Sequence, residues 1–403
     1  MIFYLTLACV QAAVNSNTRA LMQRNVAGGV MCVSQQRTPD AAVFSPCGQL
    51  VAWLKRGRDK ATINIENRCT GQQVCSQPLP CPKKHLSAQE HARNMQTICW
   101  SHDSRFLALT CVRGIFAVDL VSGLAERLDL PASLMDDRCF WAPSAKILAV
   151  IQRLGTSESL LSMYQVSGSE LRMVHQVTRC SFWHLTWAAN SRMLAMRGYN
   201  GICLLDTSTH HQVQIPFPGV DGTSPAAWSP TSWDPPLLLC IAAHSREVLF
   251  VGCEATLTSR CEDPVKGEHG GAKELGWGEH GVILLTQLSL WLFDVRTSFN
   301  GLFLEARQHI SMRSVHSPAF SPDQVHVCMV QNTQVSAAKY THHSLVILNV
   351  VSGRQVLLTL SARMSFYDGP SWTSSGYSVA VPLVVGRFHK ADQYFYKVFG
   401  FVL

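Results

Sequence analysis

Fifteen cysteines and sixteen histidines are the residues of this 403-residue chain best suited to chemistry, yet their spacing gives chemistry little support. Cys69, Cys75, Cys81 and His85 stand six, six and four residues apart, and Cys253, Cys261 and His269 form a looser second set. Zinc sites place their first ligand pair two to four residues apart, so both sets read as incidental loop thiols. No metal and no cofactor is expected. His210-His211 and His342-His343 fall in or beside connectors, where solvated histidine is ordinary. The chain has no Gly-x-Ser-x-Gly elbow and no phosphate loop ending in Gly-Lys-Ser or Gly-Lys-Thr. The glycine-rich run at 266–271 lacks the strand-to-helix setting that a phosphate cradle needs. The chain is therefore expected not to be an enzyme.

These residues are set in a repeat. An aromatic residue followed by a small one, often Pro, then a turn and an apolar run, recurs eight times. It reads Val43-Phe44-Ser45-Pro46, Cys99-Trp100-Ser101-His102, Phe140-Trp141-Ala142-Pro143, Thr186-Trp187-Ala188-Ala189 and Ala227-Trp228-Ser229-Pro230. Gly276-Trp277-Gly278, Ala319-Phe320-Ser321-Pro322 and Ser371-Trp372-Thr373 follow. Successive aromatics lie about 41 to 56 residues apart, the spacing of one four-stranded propeller blade per repeat. In each unit the aromatic closes a first strand, Ser, Pro, Asp or Gly forms a tight turn, and a second strand such as Phe106-Leu-Ala-Leu109 or Met193-Leu-Ala-Met196 runs apolar throughout. Continuous apolarity suits a strand buried on both faces. Third strands end on a polar residue, as at Asp119, Asp206, Asp294 and Asn349, which can bond the backbone of the turn that follows.

On these residues the chain resembles a divergent WD40-type β-propeller over residues 40 to 403. Phe44-Ser45-Pro46 and Phe320-Ser321-Pro322-Asp323 match the family pattern, as do the acidic ends of several third strands, although Trp291 stands three residues before Asp294 rather than beside it. The family's Gly-His pair ahead of each first strand is missing, and with it the sequence basis of its His–Asp network. TolB-like propellers share the first half of the pattern and are the close alternative. The fold class expected is all-β, a single closed propeller of eight four-stranded blades, seven being the other count if the unit at Trp277 or Trp372 is incomplete. The chain ends on what reads as a third strand at 393–401, so a segment of residues 1–39, either 30–33 or the apolar run at 2–10, is expected to supply the closing strand.

Hydrophobic content of 47% with 15% charged residues implies a large core and excludes a disordered chain. A net charge of +7 permits an acidic partner but is weaker than nucleic-acid binders usually carry, so no specific nucleic acid is expected. No stretch approaches the ~20 apolar residues of a membrane span. An odd cysteine count without regular spacing argues for a reducing, cytoplasmic location. The competing reading is a secreted or periplasmic TolB-like module whose apolar N-terminus is cleaved after Ala13.

The resemblance places the loops between second and third strands on one face, and there the cations gather: Arg56, Arg58, Arg113, Arg153, Arg197 and Arg246, with Lys55, Lys60, Lys339, Arg387 and Lys390 beside them. The six arginines are the candidate partner-binding residues of a non-catalytic scaffold, monomeric within a larger complex, that takes a protein or peptide partner of acidic character. Long connectors at 69–95 and 253–273, with Lys83-Lys84-His85 and Arg260-Cys-Glu-Asp263, are further contact candidates. The alternative is a propeller hydrolase or lyase with its site in the central opening, built from His102, His184, His280 or His326 beside carboxylates.

Overall fold

Strand after strand in this chain alternates with a short turn, and the computed structural model follows that punctuation. It describes 30–32, 39–56, 61–67, 70–79, 98–111, 114–128, 135–154, 158–167, 170–180, 182–198, 201–217, 220, 224–241, 247–252, 257–262, 272–286, 288–299, 301–312, 315–321, 324–334, 341–359, 364–366, 371–372, 378–387 and 390–400. All regular structure among these residues is β, arranged in eight antiparallel sheets. In chain order they cover 39–79, 98–127, 135–180, 182–216, 226–262, 274–311, 315–359 and 364–400, and each of the first seven is a four-stranded meander. In the eighth, Met364–Phe366 and Ser371–Trp372 both pair with Ser378–Arg387, Lys390–Gly400 follows, and Val30–Cys32 pairs with Lys390–Gly400 in the register Val30↔Phe399. The run at 2–10 lies outside the described residues. The unit at Trp277 forms a full sheet, Glu274–Gly278 through Gly301–Ser311.

The chain divides into two compact units, Met1–Cys81 with Met312–Leu403, and Pro82–Ser311. In the second unit each sheet packs on the next in sequence. Phe106, Ala108, Trp141, Leu148 and Tyr164 fill the space between the second and third sheets, and Leu161, Met163, Leu194 and Met196 that between the third and fourth. Leu204, Trp228, Leu238 and Val251 join the fourth to the fifth, and Phe250, Trp277, Val282 and Phe293 the fifth to the sixth. Second strands are buried on both faces as their unbroken apolarity requires. Met193–Gly198 is buried at every position. Side chains such as Phe106, Phe250 and Leu194, sealed from water, each contribute on the order of 1.5–3 kcal/mol of burial energy. In the first unit the seventh and eighth sheets, and the eighth and first, are the packed neighbours.

The repeated residues recur in the same roles. The aromatic ends or nearly ends the first strand in all eight sheets. The serine after it is buried at Ser45, Ser101, Ser229 and Ser321, and its hydroxyl accepts from the first backbone N–H of the second strand at Leu50, Phe106, Leu237 and His326 (2.8–3.1 Å). Tryptophan indoles cross to the preceding sheet. Trp187 Nε1 donates to Phe140 O at 3.3 Å, Trp228 Nε1 to Thr186 O at 3.0 Å, and Trp372 Nε1 to Ala319 O at 2.8 Å. Each such bond gives a partly buried indole N–H a partner and links two sheets.

The turn after the third strand explains the polar residue that ends it. Asn67, Asp119, Asp206 and Asn349 accept side-chain bonds from backbone N–H groups two or three residues on. Four residues on, Gly71, Gly123 and Gly353 take positive φ (67°, 69°, 69°), and in the fourth sheet His210 holds the same conformation at 60°. A histidine in a glycine position costs backbone strain, and its ring stacks on His175 of the third sheet at 4.3 Å between centroids.

Burial, followed by the His210 ring, lowers the pKa of His175 below the ordinary histidine value. The unfolded chain therefore binds more protons than the folded one between that lowered value and about 6.5, so stability is full above this window and falls as pH drops through it. The wild-type melting temperature is expected to fall more between pH 7.5 and 5 than that of His175→Gln. Parallel pH profiles for the two proteins would contradict it.

Candidate interaction surface

Each sheet has two ends, and in the second, fourth and sixth sheets the end bearing the first-to-second and third-to-fourth turns pairs its charges. Arg105 reaches across to Asp119 in a two-pronged bond (3.0 and 3.1 Å), and Arg192 meets Asp206 at 3.0 Å. Both cations precede the second strand and both carboxylates end the third, so the pairing is a repeated device. In the seventh sheet His326 Nε2 faces the Asn349 amide at 3.1 Å. Arg307 bonds Asp294 at 3.2 Å, and Lys146 reaches Asp103 at 3.5 Å from the next sheet. Burial alone would raise the pKa of Asp206, but the Ser208 hydroxyl and backbone, Arg192 and Thr209 N–H hold it at about 2. The Arg105 hydrogen bond likewise holds Asp119 below the usual carboxylate range. These carboxylates stay charged at neutral pH and spend their charge inside the fold.

The opposite end carries the turns between second and third strands. Arg56 and Arg153 are the last residues of their second strands, closing the pairs Arg56↔Ala61 and Arg153↔Ser159. They hold equivalent positions in the first and third sheets. Arg58, Arg113 and Arg246 lie outside the described residues, as do Lys60 and Lys339. Arg197 departs from the expectation of a loop cation. It sits inside Met193–Gly198, one pair before the turn, opposite Ile202 and His184, and is only 9% exposed. The residue makes an interaction within the protein. A second strand buried on both faces leaves a residue at that register nowhere to go but inward.

Sequence reasoning missed the company Arg197 keeps. Thr110 and Gln152 occupy the same next-to-last register in the second and third sheets, and both are buried (3% and 1%). Ser159, Thr286 and Ser289 are buried beside the same turns, with Thr286 and Ser289 bonded to one another. The signal was present as a single polar residue ending each apolar run: Thr110 after Phe106-Leu-Ala-Leu109, Gln152 after Ile147-Leu-Ala-Val-Ile151, Arg197 after Met193-Leu-Ala-Met196.

The residues weighed for catalysis do not occupy equivalent places. His102 and His280 lie in first-to-second turns and His326 opens a second strand, whereas His184 pairs with Arg197 near the other end of its sheet. The two cysteine sets also change character. Cys75 is buried in the fourth strand Gln73–Leu79, and Cys261 lies in the fourth strand Leu257–Glu262, so neither belongs to a connector. Cys69, Cys81, His85, Cys253 and His269 lie outside the described residues. Among the described residues no group of three or more His, Cys, Asp or Glu is placed to hold a metal ion. Among them, too, no helix is long and apolar enough to cross a membrane.

No protein-family model matches the chain, and no curated protein matches it by sequence. Solved structures do. The WD40 domain of SCAP from fission yeast aligns at a TM-score of 0.54 with 11% identity, covering 92% of this chain and 98% of that one. A eukaryotic initiation factor aligns at 0.53 with 12% identity, over 96% and 92%. The dihydro-heme d1 dehydrogenase NirN aligns at 0.58 with 12% identity, over 83% and 68%. At such identities the likeness concerns the fold alone: the chain has the fold of a divergent WD40-type β-propeller.

Proposed function

We propose that this protein is a non-catalytic interaction scaffold. Its eight sheets are the blades of one closed ring, Val30–Cys32 completing the last blade, and the turns between second and third strands present Arg56, Arg58, Arg113, Arg153 and Arg246 to an acidic segment of a protein partner. One observation carries the reading. The repeat sets Arg56 and Arg153 at the same final register of different sheets, while Arg105, Arg192 and Arg307 at the other end are paired with Asp119, Asp206 and Asp294. Cations delivered to one face by a repeated framework raise a positive potential there, which steers an acidic partner and sets its register. Arg197 supports this end of the fourth sheet from within and leaves the contact set. The scaffold reading places the chain in a reducing compartment as one subunit of a larger assembly.

Zero-length carboxyl-to-amine cross-linking of the native complex tests the assignment. Lys55, Lys60 and Lys339, which stand among the proposed contacts, are expected to join partner carboxylates. Cross-links confined to Lys83, Lys84 or Lys146 would place the partner elsewhere.

A further inference from the structure

Two thiols from neighbouring sheets touch. Cys99 lies in Ile98–Trp100 and Cys139 in Met135–Trp141, the first strands of the second and third sheets, both within Pro82–Ser311. Their Sγ atoms are 3.2 Å apart, and Cys99 Sγ is also 3.3 Å from the Cys139 carbonyl oxygen, to which its S–H donates. A disulfide bond is about 2.05 Å long, so the sulfurs need to close by only about 1.2 Å. The Cys99 sulfur already lies against the Cys139 backbone carbonyl. The surroundings are apolar: Phe106, Ala108, Trp141, Leu148 and Val150 enclose the pair. Cys139 is 1% exposed, whereas Cys99 is partly open to solvent. Neither thiol has a role in the interaction surface.

We propose that Cys99 and Cys139 form a redox-modification site, in which two-electron oxidation by a peroxide joins them in a disulfide that staples the second sheet to the third. The Cys99 sulfur loses its proton and attacks one peroxide oxygen. The O–O bond breaks, water leaves, and Cys99 becomes a sulfenic acid. The Cys139 thiol then displaces the hydroxyl from that sulfur as a second water and forms the S–S bond. Two thiols and one hydrogen peroxide thus give one disulfide and two waters. Burial, then the neighbouring Cys139 sulfur, push the Cys99 thiol well above its ordinary pKa, so the reaction is slow at neutral pH and accelerates in alkali. The closed loop holds about 40 residues of chain, and its closure restricts the unfolded state.

The test exposes the intact, folded protein to hydrogen peroxide at pH 7 and pH 9, alkylates remaining thiols in denaturant, and maps tryptic peptides by mass spectrometry. The expected product links residues 94–105 to residues 139–146, two hydrogens lighter than the separate peptides, and forms several-fold faster at pH 9. It is absent after reduction and from Cys139→Ser. Oxidation is expected to raise the melting temperature by a few degrees, reversibly. Recovery of both cysteines alkylated, of Cys99 as its sulfinic or sulfonic acid, or of either joined to a different cysteine would overturn the proposal. The wild-type map decides this even if the variant folds poorly.

Discussion

Trp228→Ala is expected to cost about 3–5 kcal/mol of folding stability, the largest loss of any single substitution at the repeated aromatic position. Trp228 is 6% exposed and packs among Met193, Leu204, Leu238 and Val251, side chains drawn from both the fourth and fifth sheets. Its indole N–H also bonds the Thr186 carbonyl of the fourth sheet at 3.0 Å. Truncation therefore opens a cavity between two sheets and leaves the half-buried Thr186 carbonyl short of a donor. Trp228→Phe keeps most of the packing and loses the bond, so it is expected to cost less, about 1–2 kcal/mol. Urea titration of the three proteins separates the two contributions. An alanine variant within 1 kcal/mol of wild type would mean the aromatic is not what joins these sheets.

Charge reversal at the other end of the sheets is expected to act on binding alone. Arg56→Glu, Arg113→Glu and Arg153→Glu together are expected to weaken an acidic partner by at least about tenfold, with most of the loss in association rate and a shallower dependence on salt. The melting temperature is expected to stay within a degree or two, because a charge at a strand end or in a turn typically contributes little to folding. Arg197→Glu behaves differently. It puts a carboxylate where a 9%-exposed arginine stood, so it is expected to lower stability with or without a partner. If Arg197→Glu melted like wild type, its burial in the fourth sheet would be in question. If the triple variant bound as well as wild type, the basic turns would not be the contact.

Much of this architecture is legible in the sequence because its signals are local. The aromatic, the serine that follows and the turn after it act within a few residues, and Ser101 bonding Phe106 N–H needs only the right loop length. Asp119 and Asp206 are similarly readable, since an acidic side chain before a tight turn bonds the turn's own backbone. Fourth strands were not legible. Gln212–Pro216 alternates exposed and half-buried positions, and Gln73–Leu79 is exposed along much of its length, so such an outer strand resembles a connector in sequence. Arg197 was misplaced for a related reason. Whether a cation at the end of a strand faces solvent or core depends on a one-residue register, which only the pairing with Ile202 reveals. The stack of His210 on His175 joins two sheets, and residues 35 apart carry no local mark of contact.

The account rests on the turns between second and third strands being a protein-binding face. Affinity capture of the full chain from its native lysate, run in parallel with the Arg56→Glu/Arg113→Glu/Arg153→Glu variant, eluted stepwise with salt and read by mass spectrometry, tests it most directly. The account predicts a reproducible partner that carries an acidic segment, is released from wild type at moderate salt and is missing from the equally folded variant. A partner retained equally by both proteins, or none retained by wild type under gentle conditions, would contradict it.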